Sequence, residues 1–258
     1  MKRISSAFTR PPALMPYFTL GYPDFETSLA CIQAAVEAGA DLIELGLPFS
    51  DPLADGPVIQ RSTQIALENG MTLAKCLEAV RRLRKIEIKN PFLLMGYFNP
   101  ILSYGVKRFV SDAANAGADG FIIPDLPLEE SAEMESECAA HDLSYIFMLA
   151  PTSTKERIEK VAARAKGFVY LVSVAGVTGE RASVASDLEN FVSRVKAVVR
   201  VPVAVGFGIS TAAHAREVGS IADGVIIGTA VIKAASESNP LEGVRRFIGE
   251  MKEATRYN

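Results

Sequence analysis

Eight short, almost uninterrupted apolar runs recur along the chain: Leu14–Leu20, Asp41–Leu45, Phe92–Phe98, Gly120–Ile123, Ser144–Leu149, Phe168–Ser173, Val201–Val205 and Asp223–Ile227. Strands buried on both faces read as continuous hydrophobic runs, as in parallel sheets covered by helices. The intervening segments carry apolar residues at helical spacing, as in Thr72–Arg84 and Thr154–Ala165. Strand alternating with helix predicts an α/β fold with a parallel sheet.

A weak internal repeat supports this reading. Ala-Gly-Ala-Asp-Leu-Ile-Glu-Leu (38–45), Ala-Gly-Ala-Asp-Gly-Phe-Ile-Ile (116–123) and Ile-Ala-Asp-Gly-Val-Ile-Ile-Gly (221–228) each join a helix C-terminus to a buried strand through Ala-Asp. Eight units favour a closed (β/α)8 TIM barrel over a doubly wound sheet. The 258 residues suit that fold, which typically needs about 250. No Pro-, Gly- or Ser-rich linker interrupts the chain, so residues 1–258 are expected to form one domain.

Two additions to the barrel are predicted. A short helix from Lys2 to Phe8 covers one end, and an extra helix, Ala230–Ala235, follows strand 8. The N-terminus carries Lys2, Arg3 and Arg10 with no acid before Asp24, which faintly resembles a transit peptide. It lacks the apolar core of a secretory signal.

Within strand 2, side chains alternate faces. Leu42, Glu44 and Gly46 share one face; Ile43, Leu45 and Leu47 share the other, which is apolar enough to lie under helices. A carboxylate inside an apolar run is costly to bury unpaired, so the pKa of Glu44 should rise toward the range of a general acid/base. A purely structural hydrogen-bonded Glu fits the strand equally well. The following loop, Pro48–Pro57, reads as exposed and acidic, with Asp51 and Asp55; Asp55-Gly56 alone reads as a turn.

Composition narrows the function classes. Hydrophobic residues make up 49% of the chain, and the net charge of −3 gives no electrostatic case for nucleic acid or an anionic membrane. No apolar stretch approaches the roughly 18 residues of a membrane span. Cys31, Cys76 and Cys138 are odd in number and far apart, which predicts buried free thiols and a reducing, cytoplasmic setting.

In such barrels the active site lies in the loops at the C-terminal ends of the strands. The loop after strand 6, Ala175–Ser186, contains Gly-Val-Thr-Gly-Glu-Arg and suits a mobile lid. Strand 7 ends in Gly206-Phe207-Gly208-Ile209-Ser210, and strand 8 ends in Gly228-Thr229 before the extra helix. Bare amides, glycine and a helix N-terminus in these two loops form a phosphate cradle without requiring Lys or Arg.

The run Glu44-Leu-Gly-Leu-Pro-Phe-Ser-Asp-Pro-Leu-Ala-Asp55-Gly-Pro-Val-Ile-Gln60 closely resembles the signature of the tryptophan synthase alpha subunit family. The resemblance extends over nearly the whole chain. It implies cleavage of indole-3-glycerol phosphate to indole and glyceraldehyde 3-phosphate, with Glu44 as general acid/base and Asp55 accepting the indole N–H. It further implies lid contacts at Thr178 and Gly179 and phosphate contacts at Gly208, Gly228 and Thr229, the last where the family is expected to carry Ser. Tyr17, Ile59, Tyr170 and Phe207 match positions lining the indole pocket, and Tyr97 lies beside the catalytic pair. At Tyr17 the family also carries Phe.

Retro-aldol cleavages commonly use a Schiff-base lysine or a metal as electron sink. No Lys falls on a predicted strand interior or at its C-terminal end. His141 and His214 lie in or near helices, without a neighbouring carboxylate cluster, and make a poor metal site. Carboxylate chemistry with the indole ring as its own sink remains. The resemblance implies no cofactor in this chain. Its partner would be a beta subunit carrying pyridoxal phosphate, in an alpha2beta2 assembly, facing Asp51, Pro52 and Asn99. Two other readings stand beside this one: another phosphate-binding barrel enzyme, and a catalytically weak subunit that mainly switches its partner.

Overall fold

The computed structural model describes residues 2–172, 181–206 and 208–256, with residues 181–186 described by backbone alone. Eight parallel strands close in sequence order: β1 (Ala13–Thr19), β2 (Ile43–Gly46), β3 (Phe92–Met95), β4 (Gly120–Ile122), β5 (Ser144–Leu149), β6 (Val169–Val172), β7 (Val203–Gly206) and β8 (Gly224–Ile227). This is the (β/α)8 barrel expected. Each predicted run overlaps one strand, with shifted ends. The third run overshoots most: β3 stops at Met95, because Phe98 opens a helix and gives its N–H to the Asp125 carboxylate at 2.9 Å.

The chain enters through α1 (Lys2–Ala7), and α2 (Phe25–Glu37) joins β1 to β2. Two helices follow each of β2 and β3: α3 (Pro57–Glu68) and α4 (Leu73–Lys85), then α5 (Phe98–Tyr104) and α6 (Val106–Ala116). Single helices follow the next four strands: α7 (Ala132–Ala140), α8 (Lys155–Arg164), α9 (Arg181–Lys196) and α10 (Ala212–Ile221). After β8 come the short α11 (Thr229–Ala234) and the final α12 (Pro240–Thr255). The helices begin where chemistry favours it. Thr72 and Thr154 accept the backbone N–H groups of Lys75 and Arg157, satisfying donors that a helix start leaves open.

Alternation along the strands divides the core into two shells. Ile43, Leu45 and Leu47 pack outward against the helices, while Leu42 packs inside the barrel with Met15, Leu93 and Phe168. The α1 helix stops the N-terminal end of the barrel, as predicted. Ile4 is completely buried there, and the Phe8 ring lies 5.6 Å from that of Phe168. All three cysteines are buried thiols whose pKa burial pushes up, to about 11 for Cys31 and about 12 for Cys76 and Cys138. No helix among the described residues is long and apolar enough to cross a membrane.

The repeated Ala-Asp pairs have a shared task at the same end. The N–H of Asp41 donates to the carbonyl of Leu14, and the Asp41 carboxylate accepts the Leu14 N–H at 2.7 Å. Asp119 exchanges the same two bonds with Phe92, and Asp223 with Val203, each carboxylate contact being 2.8 Å. Each aspartate thus fastens the start of an even strand to the strand before it. Each also meets a cation: Lys252, Arg84 and Lys196 respectively.

Candidate active site

Glu44 lies on the inner wall of β2, in register with Tyr17 of β1 and Leu93 of β3. It is 1% exposed, and neither carboxylate oxygen has a hydrogen-bond partner among the described residues. Most buried polar atoms are satisfied, so two orphaned oxygens on one side chain require an explanation. Burial without a compensating partner disfavours the anion and pushes this carboxyl up to about 8. Glu44 is therefore mainly protonated at neutral pH and borders a cavity of about 1040 Å³ that opens at the C-terminal end of the barrel.

Asp55 reaches that cavity from the loop between β2 and α3. The sequence presents this loop as exposed and acidic; Asp51 is exposed, but Asp55 is half-buried. Tyr97 causes the difference. Its hydroxyl accepts the Ala54 N–H at 2.9 Å and donates to the Asp55 carboxylate, while its ring stacks 5.6 Å from Phe49. The Gln60 side chain donates to the Asp55 carbonyl at 2.8 Å. Burial raises the Asp55 pKa, and the Tyr97 bond opposes the rise.

Two tyrosines line the inner wall near Glu44, Tyr17 from β1 and Tyr170 from β6, and both are buried. Each needs a glycine on the next strand. A Cβ at Gly46 would collide with the Tyr17 hydroxyl, and one at Gly206 with the Tyr170 hydroxyl. Sequence reading treated these glycines as strand ends; their service as ring seats emerges only from the packing.

At the opposite rim, Gly208, Ser210, Gly228 and Thr229 line the cavity. Gly208 has φ +75°, a left-handed conformation natural to glycine. Gly228 caps α11, so the amides at its start face a space shared with the loop after β7. Lys233, from the same short helix, and Arg157 also line the cavity. Sequence reading passed over both. Lys233 lies four residues beyond Thr229, a helical spacing that was available as a signal.

The structure thus brings Tyr17, Glu44, Asp55, Ile59, Tyr170, Gly208, Gly228 and Thr229 to one cavity. Tyr97 flanks it in a small adjoining crevice with Tyr17 and Asp55. Asp51 and Asn99 are exposed and Pro52 half-exposed, on the loop after β2 and on α5. Thr178, Gly179 and Phe207 lie outside the described residues. So does the first half of the expected lid, Ala175–Ser186, whose last six residues open α9 instead of forming loop. Among the described residues, no group of three or more His, Cys, Asp or Glu is placed to hold a metal ion. His141 ends α7 and His214 lies in α10.

Comparison with known proteins bears on this geometry. The family model for the tryptophan synthase alpha chain matches residues 6–256. A tryptophan synthase alpha chain from Chloroflexus aggregans is 48% identical, over 99% of this chain and 98% of its own length. Tryptophan synthase subunit alpha from Legionella pneumophila superposes with a TM-score of 0.92 at 37% identity, covering 99% of this chain and 98% of that one. An open form of tryptophan synthase from Mycobacterium tuberculosis gives 0.90 at 38% identity, covering 99% of both chains. With its closed barrel, its buried glutamate and these full-length likenesses, the chain belongs to the tryptophan synthase alpha chain family.

Proposed function

We propose that this chain, acting as a single domain, is a carbon–carbon lyase. It cleaves indole-3-glycerol phosphate to indole and glyceraldehyde 3-phosphate. The observation that carries this reading is Glu44: buried, orphaned at both oxygens, and raised to a pKa of about 8 beside the cavity. Such a group holds its proton at neutral pH and gives it up readily, as a general acid requires.

Glu44 donates its proton to ring carbon 3, and the ring becomes an iminium-like cation. Asp55 accepts the ring N–H and stabilises that charge as an anion. The resulting Glu44 carboxylate then takes the proton from the hydroxyl on the adjacent chain carbon. As this hydroxyl becomes the aldehyde, the carbon–carbon bond breaks and its electron pair returns to the ring. Indole and the aldehyde phosphate leave, and Glu44 is protonated again. Tyr17, Ile59 and Tyr170 enclose the ring, with Phe207 as a further wall. The phosphate binds at the amides of Gly208, Gly228 and Thr229, at the positive end of α11, with Thr178 and Gly179 folding over it.

Indole passes to a pyridoxal-phosphate-bearing beta subunit, in a cytoplasmic alpha2beta2 assembly, and closure of the lid and partner binding assist one another. The partner docks at the rim bearing Asp51, Pro52 and Asn99. Two apolar side chains on this rim support that placement: Leu53 is 93% exposed and Leu102 55%. The test is indole release by Glu44→Gln, with and without the beta subunit. The variant should fold and release almost no indole in either condition; near-normal release would place the chemistry on another residue.

A further inference from the structure

Behind the Tyr17 ring lies a row of buried hydroxyls that the reaction above does not use. Thr19, at the end of β1, and Ser62, on α3, are each 1% exposed. Their oxygens lie 2.7 Å apart, and either can be the donor. Ser62 lies 2.8 Å from the Ile59 carbonyl, and Thr19 lies 3.4 Å from the Tyr17 hydroxyl.

Each hydroxyl has one proton to give, so the row has two settings. If Ser62 donates to Ile59, Thr19 must donate to Ser62, and Tyr17 completes the row by donating to Thr19. If Ser62 instead donates to Thr19, Thr19 donates to Tyr17, and the Tyr17 proton is released from the row. The last link is longer than the usual O–H···O range of about 2.5–3.0 Å. Tyr17 is thus the least committed member.

The position of the Tyr17 hydroxyl decides where its proton goes. Tyr17 is in register with Glu44, yet its hydroxyl lies against Gly46, two residues nearer the mouth of the barrel. Tyr17 and Asp55 line the same small crevice. We propose that Tyr17, Thr19 and Ser62 form a reversible relay that positions Asp55, turning the Tyr17 proton toward its carboxylate whenever that group is ionised. The relay also ties β1 to α3, the helix that starts two residues after Asp55.

Other groups face the same carboxylate. Tyr97, at the start of α5, donates to it, and its charge reaches the hydroxyls of Tyr17 on β1 and Tyr170 on β6. Glu44 borders the same cavity from β2. Of the two carboxyl groups near Tyr17, Asp55 acts on it the more strongly. A second donor on Asp55 offsets the burial that favours its neutral form.

This inference rests on Asp55 working as an anion, and the test separates the two. The pH profile of kcat/KM for indole release should be recorded for the full-length chain, its Tyr17→Phe and Thr19→Val variants, and Asp55→Asn. Removing a donor from a carboxylate raises its pKa, so Tyr17→Phe should move the acidic limb up by about one pH unit. It should also lower kcat/KM below that limb about tenfold. Thr19→Val, close in shape, should shift the same limb by less. If it does not fold, Ser62→Ala on α3 probes the same link. A Tyr17→Phe profile superimposable on the parent, or one moved only on its basic limb, overturns the relay. An active Asp55→Asn overturns the underlying reading of Asp55, whereas an inactive one beside an unmoved Tyr17→Phe profile overturns the relay alone.

Discussion

At the N-terminal end of the barrel, Asp41, Asp119 and Asp223 each accept a backbone N–H and meet a cation. At the C-terminal end, Glu44 is more deeply buried and has neither. The chemistry of the side chains is nearly the same; their surroundings assign them different work. The paired aspartates are held by backbone amides and cations and close the barrel. Glu44 is destabilised as an anion and keeps a proton available. In barrels of this kind the N-terminal end serves stability and the C-terminal end serves reaction, and here four carboxyl groups carry that division.

The largest expected effect is at the top. Glu44→Gln should lower indole release by about 10²–10⁴-fold, measured by steady-state assay, with no loss of thermal stability. Next comes the bottom. Asp119 is 6% exposed and pairs with Arg84, 15% exposed, and with Arg3, so Asp119→Asn removes the counter-charge of a mostly buried guanidinium that keeps three carbonyl acceptors, at a cost of roughly 1–3 kcal/mol. Urea unfolding should register that loss while the turnover of folded protein stays unchanged. A large loss of turnover with normal stability would break the comparison.

A smaller effect is expected at Tyr97→Phe, which removes both the acceptor for Ala54 and the donor to Asp55. It should lower kcat/KM about tenfold and move the acidic limb of its pH profile upward, since the Asp55 anion loses a partner. A last effect is on stability and depends on pH. The folded-state pKa of Glu44, about 8, lies above its ordinary 4.5, so the unfolded chain binds fewer protons between those values. Stability from this group therefore falls as pH rises through that window. Melting curves should show the Glu44→Gln variant gaining on the parent from pH 5 to pH 8, with no further gain above it.

The barrel was legible because parallel strands under helices must be apolar on both faces, and Glu44 was legible as the exception inside such a run. The repeated Ala-Asp pairs were visible too, but their meaning was not. The amides they hold belong to Leu14, Phe92 and Val203, residues distant in sequence that only the closed sheet makes adjacent. Asp55 was misread as exposed because the Tyr97 hydroxyl that covers its loop belongs to another connection. The roles of Gly46 and Gly206 depend on rings arriving from neighbouring strands. Lys233 was missed because the cradle was read from its glycines alone.

The division between the two ends depends on one protonation state. Difference infrared spectroscopy of the carboxyl stretch, comparing the parent with Glu44→Gln across a pH series, reads it directly. A protonated carboxyl band present at pH 7, absent from the variant and titrating near 8, is the result expected from the burial of Glu44. A Glu44 band that disappears in the ordinary carboxylate range, near 4.5, would contradict it.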